Sequence, residues 1–431
     1  MVQSYGADKV TGLLNRSSFD HDLEQLMRRS AASKETGALI IFGLDNFRLI
    51  NETYDHTVGD LALKKIGEKV SQILPENLNF YRLDGDMFAL LWPGATEDDA
   101  AIIYASTRIC LKTVQAEDER IFCTASAGAA FYPQDGSDAV SLRRHAEASL
   151  GMAKQRGRDR MVIFNEEAFK KMRHFIHMQA AFKESIEKGC ENFLLYYQPM
   201  MDPSDGSVMG AETLLRWLDK DDGIISPAEF IPDLERSRLI VPVGRWTLKN
   251  AARTCKRWQQ LNPDFKMGVN ISLFQLEDYT FYDFVSETMR EYGLKPGSII
   301  LELTSSQTVE NWDYVNDQVR RFKRLGIHIA MDNFGSGYSS LMLLKSFDCE
   351  YVKIDRTFVK DIEESDYDKK LVKMTIDFCH DVNKKVVVEG VETKDACQFL
   401  KEECIADALQ GYYFSRPIPE MNFEDYLRKN R

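Results

Sequence analysis

The stretch Ile327–Leu341, IHIAMDNFGSGYSSL, has the pattern of a buried strand that ends abruptly in polar residues. Its residues are mostly apolar as far as Met331, and Asp332 and Asn333 follow directly before a glycine-rich loop. An apolar run bounded by glycine and serine is typical of a strand in a parallel sheet. Open α/β folds and barrels bind ligands at the carboxyl ends of such strands. The stretch therefore predicts a functional site at Asp332 and Asn333.

The same pattern recurs through the second half of the chain, where apolar stretches end in polar residues and helical segments follow. The predicted strands and their polar residues are Phe193–Tyr197 with Gln198, Val208–Leu215 with Glu212 and then Arg216, Lys266–Ile271 with Asn270, Ser298–Leu303 with Glu302, the strand from Ile327 with Asp332 and Asn333, Glu350–Ile354 with Lys353 and then Asp355, Lys385–Val388 with Glu389 and Glu392 after it, and Ala408–Phe414 with Gln410. Amphipathic helices are predicted between them over Pro242–Leu261, Phe281–Tyr292, Trp312–Leu325 and Lys369–His380. Eight strands separated by helices predict a (β/α)8 barrel, whose catalytic residues come from the carboxyl ends of several strands.

The polar side chains at these strand ends predict a metal site. Carboxylates, an asparagine, a glutamine and a lysine on one rim are costly to bury together without a cation. Oxygen ligands of this kind suit Mg²⁺ or Mn²⁺ rather than zinc. A rim that binds hard cations in an acidic protein points to hydrolysis of a phosphate ester. For Asp355 and Glu392, a helix cap or a surface charge is the alternative interpretation.

Composition and charge narrow the class of protein. A chain of 431 residues is too long for one ordinary core, so two domains are expected. The net charge of −12 argues against binding of long nucleic acids but permits a small anionic ligand whose charge is offset locally. The eight cysteines form no CxxC pair, which favours reduced thiols over disulfides or zinc. With no apolar run near the roughly 20 residues of a membrane helix and no secretory signal, we expect a cytoplasmic protein without a membrane segment.

The first half is predicted to form an α+β domain with one sheet. The sequence predicts strands over Ala38–Phe42 and Phe122–Phe131, helices over Asp60–Ile73 and Ser141–Lys154, and a hairpin over Phe80–Trp92 that turns at Asp84-Gly85-Asp86. A further helix over Asn165–Lys188, ended by Gly189, is expected to connect the domains. We place the first domain at residues 1–167, the linker helix at 168–189 and the barrel at 190–431.

Four stretches of the first half match one family in order: DKVTGLLNRSSF (Asp8–Phe19), GLDNFRLINETYDHTVGD (Gly43–Asp60), the hairpin turn RLDGDMF, and AEASLGMAKQRGRDR (Ala146–Arg160). They resemble the GGDEF family, whose active members join two GTP molecules into cyclic di-GMP. The resemblance covers nearly the whole first half and implies the cyclase-type fold.

The same resemblance implies that this domain has lost cyclase activity. Asp84 replaces the first glycine of the signature, Met87 replaces its catalytic metal-binding glutamate, and Gly43 replaces the other metal-binding aspartate. A thioether is a poor Mg²⁺ ligand, and phosphoryl transfer of this kind requires metal ions. Asn51 and Asp60 match the guanine contacts of the family, which leaves residual GTP binding as one hypothesis and ordinary loop or cap residues as the other.

The second half carries a longer set of motifs. They are YYQP (Tyr196–Pro199), ETL (Glu212–Leu214), SPAEFIP (Ser226–Pro232), VNIS (Val269–Ser272), LELT (Leu301–Thr304), KIDRTFV (Lys353–Val359), VVEGVET (Val387–Thr393) and QGYYFSRP (Gln410–Pro417). Their order and spacing resemble the EAL family of cyclic di-GMP phosphodiesterases. The implied fold class is α/β: a GGDEF-like α+β domain followed by a TIM-like (β/α)8 barrel.

The resemblance to the EAL family implies roles for individual residues. Metal-activated water would attack one phosphodiester of cyclic di-GMP and give the linear dinucleotide pGpG, with Mg²⁺ or Mn²⁺ at two sites. The implied catalytic residues are Glu212, Lys353 and Glu389; the implied metal ligands are Glu212, Asn270, Glu302, Asp332, Asn333 and Asp355; and the implied substrate contacts are Gln198, Arg216, Pro227, Phe230, Gln410 and Glu392. Because this family commonly pairs across the barrel rim, a homodimer through this half is one hypothesis, which no stripe in the sequence decides.

Two departures from the EAL pattern affect the glycine-rich loop that follows Asp332. Asn333 stands where the family has a second aspartate, so the second cation should bind more weakly. Ser305 stands where a glutamate anchors that loop, and losing such support typically costs roughly 10–100-fold in metal affinity or activity. Two hypotheses follow, a phosphodiesterase with reduced activity or a non-catalytic cyclic di-GMP receptor. Gln198 and Arg216 argue against a third, an interaction module that binds no nucleotide.

Overall fold

A computed structural model describes residues 6–76, 78–116, 119–220, 222–304, 312–335 and 341–430. Ser305 and residues 336–340, which include part of the glycine-rich loop, lie outside these ranges. The chain folds into two compact units, Met1–Phe175 and Ile176–Arg431. Within the described ranges, no helix combines the length and the apolar character needed to cross a membrane.

The first unit alternates helices and strands. In chain order they are α1 (Arg16–Ser33), β1 (Gly37–Leu44), α2 (Phe47–Tyr54), α3 (His56–Ile73), β2 (Phe80–Arg82), β3 (Met87–Pro93), α4 (Glu97–Leu111), β4 (Val114–Ala116), β5 (Glu119–Ile121), β6 (Ala125–Tyr132), α5 (Ala139–Gln155), β7 (Met161–Ile163) and α6 (Glu166–Glu187). The main sheet has five strands in the order β2-β3-β1-β6-β7, with the fully buried β1 at its centre.

Helices cover both faces of this sheet. Ile40 and Phe42 of β1 belong to a core that includes Ile66 of α3, whereas Leu39 and Ile41 belong to the core that includes α1 and α5. This alternation follows from the two-residue period of a strand, and it explains why β1 is a continuous apolar run.

The predicted elements of the first unit are confirmed with one difference. The hairpin, the central strand and the helices fall where the sequence predicts them. The strand predicted over Phe122–Phe131 instead begins at Ala125, because Phe122 is 81% exposed and the preceding residues pair with β4. The domain therefore carries a small second sheet, β4-β5, besides the predicted one.

Helix α6 confirms the predicted helix over Asn165–Lys188 and contains the division between the units. Phe169 packs into a core of the first unit, and Phe182 packs into a core of the second. The helix ends before Gly189, whose φ of +83° is in the left-handed region that favours glycine. The exact domain boundaries stay predictions.

The second unit is built from alternating strands and helices after an initial hairpin. Its elements are β8 (Phe193–Met201), β9 (Val208–Asp219), β10 (Gly223–Ile225), α7 (Pro227–Arg236), α8 (Ile240–Trp258), β11 (Lys266–Ile271), α9 (Leu273–Leu276), α10 (Phe281–Tyr292), β12 (Ile299–Thr304), α11 (Trp312–Arg324), β13 (His328–Phe334), α12 (Leu341–Ser346), β14 (Tyr351–Ile354), a 3-10 turn (Arg356–Phe358), α13 (Asp366–Asp381), β15 (Lys385–Val388), α14 (Lys394–Glu402), β16 (Ala408–Leu409), β17 (Ile418–Pro419) and α15 (Glu420–Lys429).

Eight of these strands close into the predicted barrel. Their order is β9-β11-β12-β13-β14-β15-β16-β8, and β8 also pairs with β9. The pairs from β9 to β16 are parallel, but β8 runs antiparallel to both of its neighbours. A tight turn at residues 202–207 joins β8 to β9, and so short a connection permits only antiparallel pairing. The eighth strand is also shorter than predicted.

The main core of this unit lies between the barrel and its helices. Val269 and Leu301 face outward from neighbouring strands into a cluster that also contains Trp258 of α8 and Phe322 of α11. Since side chains alternate along a strand, the residues between these outward positions must face the barrel interior. That alternation places the polar residues identified in the sequence inside the barrel.

Candidate active site

The carboxyl end of the barrel interior is filled by charged and amide side chains. Glu212, Glu302, Asp332 and Lys353 come from four strands and are all buried. Asn270 of β11 lies opposite Glu302 of β12 in the strand register. The structure therefore brings together the residues that the sequence placed on separate strand ends.

Lys353 lies at the centre of this group. Its Nζ is 2.5 Å from Glu302 Oε2, 2.8 Å from Glu212 Oε2 and 3.5 Å from Asp332 Oδ1. The same nitrogen lies 2.7 Å from Glu389 Oε1, just beyond the end of β15. We call these five residues the carboxylate cluster. One ammonium group facing four carboxylates leaves an excess of negative charge in a buried place.

The pKa shifts follow from this imbalance. Burial raises the pKa of Glu302 well above its usual value, raises that of Asp332, and raises that of Glu389 to about 7. Burial acts on Glu212 in the same direction, but Lys353 and hydrogen bonds outweigh it and lower the pKa of Glu212. Burial alone would lower the pKa of Lys353, yet the surrounding carboxylates raise it well above normal. The cluster thus holds a permanently charged lysine and several acids that ionise with difficulty.

Amide side chains fix the orientation of Glu212. Asn270 donates to its Oε1 at 2.7 Å, and Gln410 donates to its Oε2 at 2.7 Å. Gln410 also contacts Gln198 Oε1 at 3.1 Å, and Gln198 donates to the carbonyl of Ser415 at 3.2 Å. This chain of bonds links both glutamines that the sequence predicts as substrate contacts to a predicted metal ligand.

Asn333 adopts a backbone conformation and a contact that bear on metal binding. Its φ is +55°, and the β13–β14 pairing is irregular between Met331 and Phe334. Its side-chain amide donates to Asp332 Oδ2 at 2.9 Å. An aspartate at this position would repel that carboxylate instead. Ser305, whose effect on this loop the sequence predicts, lies outside the described residues.

A cavity of about 740 Å³ opens over the cluster. Its polar wall includes Asp332, Asn333, Asp355, Glu389 and Gln410, and its apolar wall includes Leu214, Pro227 and Ile231. Glu392 and Tyr412 also line it. A polar end beside an apolar wall is typical of a ligand pocket.

The structure does not place one of the predicted substrate contacts on the cavity wall. Phe230 does not line the cavity, because its side chain is 1% exposed and packs among Phe182, Phe193 and Trp217. On α7, Pro227 and Ile231 face the cavity, whereas Phe230 and Leu234 face the core. The i, i+4 spacing of Phe230 and Leu234 was the sequence signal for that buried face.

Arg216, a predicted substrate contact, and Asp355, a predicted metal ligand, lie at or beside the rim of the cavity. Arg216 follows the cavity-lining Leu215 and holds its guanidinium 5.4 Å from the centre of the Tyr196 ring. Asp355 lines the cavity and also caps the 3-10 turn by accepting from Thr357 N at 2.9 Å. Both interpretations offered for Asp355 are therefore compatible with its position. The cavity-lining residues Leu214, Ile231 and Tyr412 were not predicted, since no charge or metal-ligand chemistry marks them.

The cluster fits a divalent cation in its donor chemistry. Its donors are carboxylate and amide oxygens, which suit Mg²⁺ and Mn²⁺, and its excess negative charge favours added cations. In the described ranges, however, no group of three or more aspartate, glutamate, cysteine or histidine side chains is arranged as a preformed metal-binding site. Lys353 occupies the position between the carboxylates, so cation binding would need those side chains to adjust around it.

The first unit carries a separate cavity of about 560 Å³, lined by Asn51, Arg48, His56, Lys154 and Arg158 among others. Asp60 is exposed and is not among the lining residues of this cavity. Gly43 and Met87 are opposite each other in the β1–β3 register. A Cβ at Gly43 would lie 2.9 Å from Lys154 Nζ, so the lysine fills the space beside the missing carboxylate.

Comparison with known proteins identifies relatives of both units. Residues 179–417 match the family model described as the EAL domain, and residues 6–160 match that of the diguanylate cyclase GGDEF domain. Cyclic di-GMP phosphodiesterase PdeR of Escherichia coli is 29% identical over 98% of this chain and 63% of PdeR. The bifunctional diguanylate cyclase/cyclic di-GMP phosphodiesterase MucR of Pseudomonas aeruginosa is 30% identical over 97% of this chain and 61% of MucR. The chain spans less than two thirds of the length of these two relatives.

A solved structure supports the comparison for the barrel. It is described as the PaMucR phosphodiesterase in complex with c-di-GMP, and it is 31% identical with a TM-score of 0.53. The similarity covers 57% of this chain and 99% of that one.

Proposed function

We propose that this chain hydrolyses cyclic di-GMP to linear pGpG with reduced activity. The premise is that the chain belongs to the EAL family and carries a GGDEF domain ahead of its EAL domain. The observation that carries this proposal is the carboxylate cluster at the carboxyl end of the barrel, below a cavity lined by four of the six predicted substrate contacts, Gln198, Pro227, Glu392 and Gln410. PdeR is named as a cyclic di-GMP phosphodiesterase, and the PaMucR phosphodiesterase structure is described as a complex with c-di-GMP.

Divalent cations are part of the proposal. Glu212, Asn270, Glu302 and Asp332 would hold one cation, and Asn333 with Asp355 would contribute to a second, weaker site. A bound Mg²⁺ or Mn²⁺ would polarise the phosphodiester and make water a better nucleophile at neutral pH. EAL phosphodiesterases generally depend on divalent metals, and the oxygen donor set of this cluster is consistent with that requirement.

The remaining residues of the site bind substrate and move protons. Lys353 supplies a fixed positive charge beside the phosphodiester. Glu389, with a pKa of about 7, can take or give a proton near neutral pH. Gln198 and Arg216 provide hydrogen-bond donors for phosphate or base oxygens, and the wall containing Pro227 supports a base.

The GGDEF domain is proposed to be regulatory and inactive as a cyclase. Gly43 and Met87 supply no carboxylate where the family places two, and Lys154 occupies the adjacent space. Residual GTP binding is proposed for the cavity that Asn51, Lys154 and Arg158 line.

One observation favours the alternative of a non-catalytic cyclic di-GMP receptor. Asn333 donates its amide hydrogen to Asp332 and so competes with a cation for that carboxylate. A receptor would keep the substrate contacts while losing the metals.

The test is an assay of purified protein with cyclic di-GMP and Mg²⁺, Mn²⁺ or EDTA, with products separated by chromatography. We expect pGpG with either metal, none in EDTA, and none from Glu212→Gln. The matched control is Glu277→Gln, which removes an exposed carboxylate paired with Arg238 and should retain activity. Binding of cyclic di-GMP without any product from the wild-type protein would establish the receptor instead.

A further inference from the structure

Three basic residues begin alternate strands of the barrel: Lys266 on β11, His328 on β13 and Lys385 on β15. Each lies four residues before a residue of the candidate site, namely Asn270, Asp332 or Glu389. Because side chains alternate with a period of two, a spacing of four puts both members of each pair on the same side of their strand. The three basic residues therefore face the barrel axis at its amino-terminal mouth, at the opposite end from the carboxylate cluster. Layers drawn from alternate strands are the normal packing of such a barrel.

Side-chain contacts support this placement. The buried ring of Tyr351 belongs to the apolar cluster inside the barrel, together with Ile300 and Ala330. The His328 ring lies 5.6 Å from the Tyr351 ring, and Lys385 Nζ lies 5.9 Å from its centre. Tyr351 thus forms part of the floor of the amino-terminal mouth. At Gly297 a Cβ would come within 3.1 Å of His328 Nε2, so this glycine leaves the imidazole edge uncovered on that side.

The two ammonium groups and the imidazole at the mouth have no directly bonded counter-ion in the described part of the chain. Burial lowers the pKa of His328, so the positive charge comes from the two lysines and the imidazole serves as an N–H donor. Over these ranges, Lys266, His328 and Lys385 make no ion pair and no side-chain hydrogen bond. Glu350 is committed to Lys323 at 2.8 Å and to the backbone nitrogen of Ile329 at 2.9 Å.

The other neighbouring acid is committed as well. Asp407 pairs with His380 at 2.8 Å and accepts from Val386 N at 2.8 Å. Burial lowers the pKa of Lys266, and the charge of Lys385 lowers it further, which the charges of Asp264 and Asp202 offset only in part. The positive charges of Lys266 and Lys385 therefore lie near each other, although the protein as a whole has a net charge of −12.

We propose that this mouth, defined by Lys266, His328 and Lys385, binds a small oxyanion of the phosphate class. Ammonium groups and an imidazole N–H are donors suited to a tetrahedral anion with several acceptor oxygens. The negative charge elsewhere on the chain would repel anions, so a local group of cations is needed to hold one. The ligand is either free phosphate or the terminal group of a phosphomonoester. The site is independent of the proposed hydrolytic function, since it shares no residue with the carboxylate cluster.

The experiment is isothermal titration calorimetry of the full chain with phosphate, in EDTA and at constant ionic strength set by chloride. We expect saturable binding that weakens at least tenfold in Lys266→Met and in Lys385→Met. The control is Lys370→Met, which removes one exposed lysine on α13 and changes the net charge equally. A second titration uses glucose 6-phosphate: binding equal to that of phosphate identifies a phosphomonoester site, and weaker binding identifies a site for the free anion.

Folding is checked separately. Because Lys266 is held near a like charge, Lys266→Met should melt at or above the wild-type temperature in the absence of anion. If Lys266→Met does not fold, His328→Gln provides a second variant for the phosphate titration. Equal phosphate binding by the wild type and by the mouth variants would overturn the proposal and place any bound anion elsewhere. The absence of saturable heat with millimolar phosphate would also overturn it.

Discussion

Replacing Lys353 with methionine tests whether one buried lysine holds the carboxylate cluster together. Its Nζ contacts Glu302, Glu389, Glu212 and Asp332 at distances from 2.5 to 3.5 Å, and its side chain is 1% exposed. Removing one partner of a buried ion pair typically costs about 3–5 kcal/mol, because the remaining charge stays buried and unpaired. For a unit of this size, about 2–4 °C in melting temperature corresponds to each kcal/mol, which gives a loss of roughly 6–20 °C.

The loss should depend on pH in a definite direction. Burial raises the folded-state pKa of Glu302 and Asp332, and that of Glu389 to about 7. An acid with a raised folded-state pKa stabilises the fold fully below its unfolded pKa, and this stability is lost as pH rises through the folded value. Without Lys353 these pKa values rise further. The variant should therefore be closer to wild type at pH 6 than at pH 8.

The assay is thermal unfolding followed by circular dichroism, in EDTA, at both pH values. The control is Lys323→Met, which removes a more exposed lysine that lies 2.6 Å from Asp348 and 2.8 Å from Glu350. That pair is near the surface, so its loss should cost about 1 kcal/mol or less. The reasoning fails if Lys353→Met costs no more than the control, or if its cost is larger at pH 6 than at pH 8.

Three further predictions concern Asn333, Glu389 and the cyclase activity of the first domain. Asn333→Asp should tighten Mn²⁺ binding measured by calorimetry and raise turnover severalfold, since it adds a ligand charge; an unchanged or lower value of both would show that position 333 does not limit the metal site. Glu389→Gln should flatten the fall in melting temperature in EDTA between about pH 4.5 and pH 7, and a slope like that of wild type would show that another acid causes it. GTP with Mg²⁺ should yield no cyclic di-GMP even at high protein concentration, because Gly43 and Met87 supply no carboxylate, and detection of that product would contradict the loss of cyclase activity.

The sequence predicts the barrel and its polar interior because side chains alternate along a strand with a period of two. The apolar residues of that pattern indicate the strands, and the polar residues that interrupt it indicate the site. Glu212, Glu302 and Asp332 each interrupt an apolar run within a strand, and the structure buries all three. The same period also places Lys266 and His328 inside the opposite mouth. The sequence alone does not show this placement, because only the strand register shows which side of each strand faces the barrel interior.

Other features of the structure were not predicted from the sequence. The central position of Lys353 depends on bonds to residues far away in the chain, which no local pattern records. The antiparallel first strand had a local signal, since only a glycine-containing turn at residues 202–207 separates two apolar runs. The motif that contains Phe230 identifies a helix without saying which of its faces is buried, and the signal for the buried face was the i, i+4 spacing of Phe230 and Leu234.

Single-turnover hydrolysis tests the central claim most directly. Protein in excess over cyclic di-GMP is mixed with Mn²⁺, and the reaction is sampled over time by chromatography, so that slow chemistry is still detected. We predict complete conversion to pGpG in a single exponential phase that EDTA abolishes. Cyclic di-GMP that is bound by the protein yet recovered intact at every time point would contradict the account and show that this site holds the dinucleotide without cutting it.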